Sequence, residues 1–184
     1  MSCLITNGRT EQCKDSISGL QAIYFINFGI APADVTYNTA GGEEDEILTI
    51  ANVTDLYKYE LKGANTFETT INSSRANGTT FFQQTLTCQF KRQDVATHRN
   101  IKFLAYGRPH IVVHTRNNQF FLMGLNEGAD VTQGSVSSGT EYGDFNGYGL
   151  TFESMEKLPA NFLSCTDESD MALNVFGGAT IVNS

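Results

Sequence analysis

The sequence is short of charge. Only 17% of its 184 residues are Asp, Glu, Lys or Arg, against about 25% in ordinary soluble domains. So few charges point to a surface that something else covers. The basic side is the scarcer one, with 12 Lys and Arg against 20 Asp and Glu, a net charge of −8 and a pI near 4.8. Proteins that grip nucleic acid use Lys and Arg to displace counterions from phosphates. This balance argues against affinity for DNA or RNA. An acidic surface repels phosphates and keeps them from sticking.

Long apolar runs are also missing. No stretch approaches the ~20 residues of a membrane helix, so no membrane partner is expected. The opening "MSCLITNGRTEQCKD" has neither a basic start followed by an apolar core nor a cleavage site, so no secretory signal is read there. Synthesis in cytosol is the expectation. The glycosylation-like triplets at Asn52, Asn72 and Asn77 are then chance matches in an Asn- and Thr-rich chain. Four cysteines, Cys3, Cys13, Cys88 and Cys165, form no close pair. Cys88 falls on the apolar face of a strand and reads as a small buried hydrophobe. Cytosol keeps the others reduced; a disulfide between Cys3 and Cys13, or across subunits, is the alternative that a later oxidising medium would allow.

Catalytic signatures are absent as well. There is no Gly-x-Ser-x-Gly elbow, and no Gly-rich loop that leads from a strand into a helix with the required Lys. His110 and His114 share a strand face, but four residues along a strand span about 13 Å, too far to hold one ion. The adjacent carboxylates Glu43–Glu46 lack the alternate spacing of a calcium loop and read as a solvated turn. Glu141 and Asp144 sit in a Gly-rich loop, where a turn role is the default. The expectation is a protein that is not an enzyme, with no cofactor and no metal.

Strands are what the chain does contain. "LQAIYFINFG", 20 to 29, is a continuous apolar run that predicts a buried strand. A short strand follows near Val35–Tyr37. "LYKYELKG" alternates, with Tyr57, Tyr59 and Leu61 on one face and Lys58, Glu60 and Lys62 on the other. "TFETTINSS" places Phe67, Thr69 and Ile71 together, and the turn "RANG" leads into "TTFFQQTLTCQF". That last strand sets Phe82, Leu86, Cys88 and Phe90 on one side with Gln84 among them. Its other side, Phe81, Gln83, Thr85, Thr87 and Gln89, is polar without charge. Residues 57 to 90 therefore predict a long antiparallel ribbon. One helix is predicted over 97–106, capped by Asp94 or Thr97 and closed by a left-handed Gly107 before Pro109. "HIVVHT", "RNNQ" and "FFLMGL" make a hairpin, and "GYGLTFESME" a late core strand with Tyr148, Leu150 and Phe152 inward. The fold class is mainly β: an antiparallel β-sandwich or open β-barrel, with one short flanking helix and an extended β-hairpin. The domain organisation is an N-terminal arm (1–18), a β domain (19–163) and a C-terminal tail (164–184). In the tail, "ATIV" reads as a strand added to a neighbour, with a frayed end as the alternative.

The order of these pieces, with "YKYELKG", "NGTTFFQQTLT", "LAYGRPHIVVHTRNNQFFLMGL" and "GYGLTFESMEKLPANF", resembles structural proteins of tailed bacteriophages, and among them the tail tube proteins. The resemblance covers roughly residues 20 to 162 and rests on arrangement, with no single diagnostic motif. It implies hexameric rings stacked into a hollow tube, assembled in the host cytoplasm and located in the virion tail. Expected partners are further copies of the chain, other tail proteins (sheath or terminator, baseplate or tip) and genomic DNA that passes without specific binding. It implies that Tyr57–Lys62 and Phe81–Lys91 line the lumen, through Lys58, Glu60, Gln83, Thr85, Thr87 and Gln89. It further implies that Thr66–Thr80 reaches another subunit, with Thr66, Phe67, Asn72, Arg75, Asn77, Thr79 and Phe81 as contact residues. Two other readings stay open: a neck ring, tail ring or capsid-decorating β-sandwich, and a carbohydrate- or protein-binding module using Tyr142, Phe145 and Tyr148.

Overall fold

The computed structural model describes residues 8–11, 13–40 and 45–183. Its centre is β1 (Leu20–Ile26), a strand apolar on both faces because both are covered. β1 pairs antiparallel with β4 (Asp55–Glu60) on one side and with β7 (His110–Thr115) on the other. β2 (Val35–Tyr37) and β3 (Ile47–Ile50) form a separate two-stranded sheet. β7 and β8 (Phe120–Met123) make the expected hairpin, and β11 (Asn161–Phe162) adds to β8. β12 (Thr180–Val182) pairs parallel with β4 and ends a six-stranded sheet in the order β11-β8-β7-β1-β4-β12.

A four-stranded sheet packs over one face of it. β5 (Thr66–Ser74) and β6 (Thr79–Lys91) are the long hairpin, followed across the sheet by β10 (Gly147–Glu156) and β9 (Asp130–Ser137). Alternation decides which side chains turn in. Ile23, Phe25, Ile111 and Val113 of the six-stranded sheet meet Leu86, Cys88, Phe90, Tyr148, Leu150 and Phe152 in the first core. Helix α1 (Val95–Tyr106) leans on that core through Ile101 and Leu104. The chain is thus mainly β, a sandwich with a flanking helix and, among the described residues, no closed barrel.

A third layer lies on the opposite face, where the sequence predicted none. Ala22, Tyr24, Ile26, Val112 and Leu122 turn that way and build a second core with Ile47 and Ile50 of the small sheet. Much of its cover comes from residues 164–183, read above as a tail. A single turn at Glu168–Asp170 runs into a π-helical turn, Met171–Val175. Met171, Val175 and Phe176 are buried there. The "ATIV" strand expected on a neighbour is β12, and its partner is the chain's own β4.

Helix α1 begins earlier than 97, because Asp94 is the cap and accepts from the Thr97 amide at 2.8 Å. Gly107 ends it in extended backbone, with φ −97°, not in the left-handed form expected of it. Of the arm, residues 8–11 and 13–18 are exposed, tethered where the Ile17 amide donates to Asn117 Oδ1 at 2.7 Å. Cys3 lies outside the described residues, and with it the Cys3–Cys13 pairing.

Candidate assembly surfaces

The outward face of the four-stranded sheet is the most distinctive surface of the molecule. Antiparallel register fixes its rows: Thr66 faces Thr87, Glu68 faces Thr85, Thr70 faces Gln83 and Asn72 faces Phe81. On the other flank of β6, Gly149 faces Gln89, Thr151 faces Thr87 and Glu153 faces Thr85. Ser135 and Gln133 of β9 extend the rows through Gly149 and Thr151. Amides bridge three strands: Asn72 Nδ2 donates to Gln83 Oε1, and Gln83 Nε2 donates to Glu153 Oε2, each at 3.4 Å. Hydroxyls and amides dominate, Glu68 and Glu153 add negative charge, and the nearest cation on β6 is Lys91 at its end.

Gln83, Thr85, Thr87 and Gln89 thus share this face, and Phe81 sits toward its exposed rim. Lys58 and Glu60 do not belong to it. Their strand, β4, lies in the other sheet, and Lys58 turns toward the third layer, where its Nζ meets Glu168 Oε2 at 2.7 Å. The resemblance implied that β4 and β6 share one lining; the pairing of β4 with β1 and β12 separates them. Glu68, Thr151 and Glu153 were missed, yet "GYGLTFESME" carried the signal. With Tyr148, Leu150 and Phe152 inward, Thr151 and Glu153 have to face out.

The hairpin of β5 and β6 carries the other predicted contact residues. Thr66, Asn72 and Thr79 lie on its outward face, while Arg75 and Asn77 lie in the exposed turn. Phe67 does not join them. It turns into the sandwich, half-buried, with its ring centroid 6.0 Å from that of Phe121. On the same inward side the core runs out before the hairpin does, so Phe82 is half-buried and Ile71 is 64% exposed.

Edges complete the picture. The four-stranded sheet ends in β5 and β9, nine and eight residues long, and neither has an outer partner among the described residues. Exposed edges of that length present unpaired N–H and C=O groups that invite another strand.

Chemistry is sparse elsewhere. His110 is locked: its Nδ1 donates to Gly124 O at 2.6 Å, and its Nε2 accepts from the Gly29 and Ile30 amides at 3.2 and 3.3 Å. His114 donates from Nε2 to Asn118 Oδ1 at 2.9 Å and stacks on Phe120. Burial pushes the Cys88 thiol up to about 12, which makes it a poor nucleophile. Among the described residues no group of three or more His, Cys, Asp or Glu is arranged to hold a metal ion. Of the aromatics proposed for carbohydrate binding, Tyr142 is exposed, Phe145 is half-buried and Tyr148 is in the core. They form no common platform. Among the described residues no helix is long and apolar enough to cross a membrane. No protein family, curated protein or solved structure matches the chain.

Proposed function

We propose that this chain is a structural virion protein, a tail tube subunit of a tailed bacteriophage. It assembles as hexameric rings stacked into a hollow conduit for DNA ejection, and it is not an enzyme. The observation that carries the reading is the outward face of the four-stranded sheet. A surface mainly of Thr, Gln and Ser, with the carboxylates of Glu68, Glu153 and Asp130, an exposed Met155 and no central cation, holds water and repels phosphate. The long edges β5 and β9 flank that same sheet, so edge pairing between copies would join the faces into one continuous lining. The mechanism is mechanical and electrostatic. The lining keeps a wet layer against the DNA and offers it no positive charge to bind.

The test has two parts. Negative-stain microscopy of the purified protein should show sixfold rings or hollow rods; a dispersed monomer at high concentration would sink the reading. In a phage carrying Gln83→Lys with Thr85→Lys, tubes should form but infectivity should fall, because two cations per subunit turn the lining toward phosphate. Normal infectivity of that phage rejects the lumen assignment. A capsid-decorating sandwich would instead show trimers or monomers and no sixfold rings.

A further inference from the structure

Charge is segregated on this acidic chain. Lys91, Arg92, Arg99, Lys102 and Arg108, five of its 12 Lys and Arg, lie on or beside α1, and Asp94 is the one acidic residue between 91 and 108; Arg108 alone of the five meets a carboxylate, Asp130, at 3.4 Å among the described residues. The helix is also poorly covered. No residue of α1 is fully buried, and Phe103 and Tyr106 are 57% and 82% exposed. Phe103 shares a cleft of about 430 Å³ with Phe28, Tyr57 and Val182, all exposed apolar groups. The Arg99 guanidinium lies 5.6 Å from the centre of the Phe103 ring. A basic, aromatic face left open in this way marks an interaction surface.

The complement is on the same chain, across the six-stranded sheet. Residues 164–183 contain Asp167, Glu168 and Asp170 and no Lys or Arg. Asp45 and Glu46 adjoin them: Asn161 Nδ2 donates to Asp45 O at 2.8 Å, and the Ser164 amide donates to Ile47 O at 2.9 Å. Lys58 is paired with Glu168, whereas Asp45 and Asp167 are exposed. Leu173, in the π-helical turn that follows, is 66% exposed. Helix α1 packs on the first core and residues 171–179 on the second, so the basic face and the acidic turn before Met171 belong to opposite faces of the sheet.

We propose that these surfaces dock on each other between copies of the chain, the basic aromatic face of α1 against the acidic segment around Asp167 and Leu173. Charge complementarity names the occupant. A nucleic acid is the competing partner for α1, but a chain of net charge −8 repels it overall, while a second copy brings the matching acidic face. Since the two faces differ, the contact is head-to-tail and generates a ring or a filament. It does not rest on the tube reading and would serve any such assembly.

The test is charge exchange in the full chain, followed by sedimentation velocity. Arg99→Glu with Lys102→Glu reverses one face; Ser169→Lys with Leu173→Lys reverses the other, and all four positions are exposed. Each double variant should weaken self-association about tenfold through like-charge contact. Mixing the two variants sets Glu opposite Lys and should restore it. Added salt should weaken the wild-type contact. Thermal melts establish that each variant is folded. Unchanged association in both variants, no rescue on mixing, or retention of duplex DNA that the helix variant alone abolishes would each overturn the proposal. Rescue without sixfold rings would keep the contact and remove the tube; rings indifferent to the exchange would do the reverse.

Discussion

At the scale of single residues, the polar atoms inside the sandwich explain positions that periodicity could only flag. Gln84 interrupts the apolar face of β6, 1% exposed, and the sequence marked it as the odd member without a reason. The reason is Gly124, which has φ +71° and whose added Cβ would lie 2.6 Å from the Gly128 carbonyl carbon. The Gly124 amide donates to Gln84 Oε1 at 3.0 Å, and its carbonyl accepts from His110 Nδ1. One tight turn therefore sets both a buried amide and the tautomer of a buried imidazole. Such partners lie 40 and 14 residues apart, beyond what local patterning reports. His110 gives the consequence a sign. Its Nε2 must stay unprotonated to accept two amides, and burial holds its pKa below the ordinary histidine value. The unfolded chain then binds a proton that the folded chain refuses. The stabilisation is complete above about pH 6.5 and is lost as pH falls through the depressed folded value. His114, on the same face of β7, is shifted in the same direction by burial, with Glu168 and Lys58 as its charged neighbours. The urea midpoint should therefore fall between pH 7.5 and pH 5, and His110→Gln should reduce the slope. A midpoint flat over that range would contradict the locked geometry.

At the scale of elements, legibility followed the period. β1, β6, β7, β8 and β10 were visible because alternation or a continuous apolar run matches a strand whose faces are decided by burial. The hairpin of β5 and β6 was visible for the same reason. The C-terminal segment was visible only at "ATIV", since "MALNVFGGATIV" joins a π-helical turn, two glycines and a three-residue parallel strand. None of these is long enough to carry a period. Its partners on β1, β3 and β4 lie more than a hundred residues away in the chain. Its energetic role is nonetheless that of core. Phe176 is 2% exposed and belongs to the second core. Phe176→Ala should cost about 3–5 kcal/mol, read as a drop in denaturant midpoint. A loose tail would give a change within about 0.5 kcal/mol, so the measurement separates a structural layer from an appendage.

At the scale of the whole molecule, the low charge that opens the sequence divides between two surfaces. One is the hydroxyl- and amide-rich, cation-poor face of the four-stranded sheet, and the other is the pair of strand edges beside it. A monomer in water gains nothing from either, whereas a ring would cover the edges and enclose the face. Ile71 lies where this difference can be measured. It sits on edge strand β5, 64% exposed, opposite the half-buried Phe82 and beyond the reach of the first core. An exposed apolar side chain on an edge strand contributes little to the protomer alone, so Ile71→Lys should leave its unfolding midpoint within about 0.5 kcal/mol of the parent. In an edge-paired ring the same side chain is covered by the neighbour, and an edge lysine is a common device against strand addition. Ile71→Lys should therefore sediment as a folded monomer under conditions in which the parent forms rings. If the variant assembles as readily as the parent, β5 is not the closing edge.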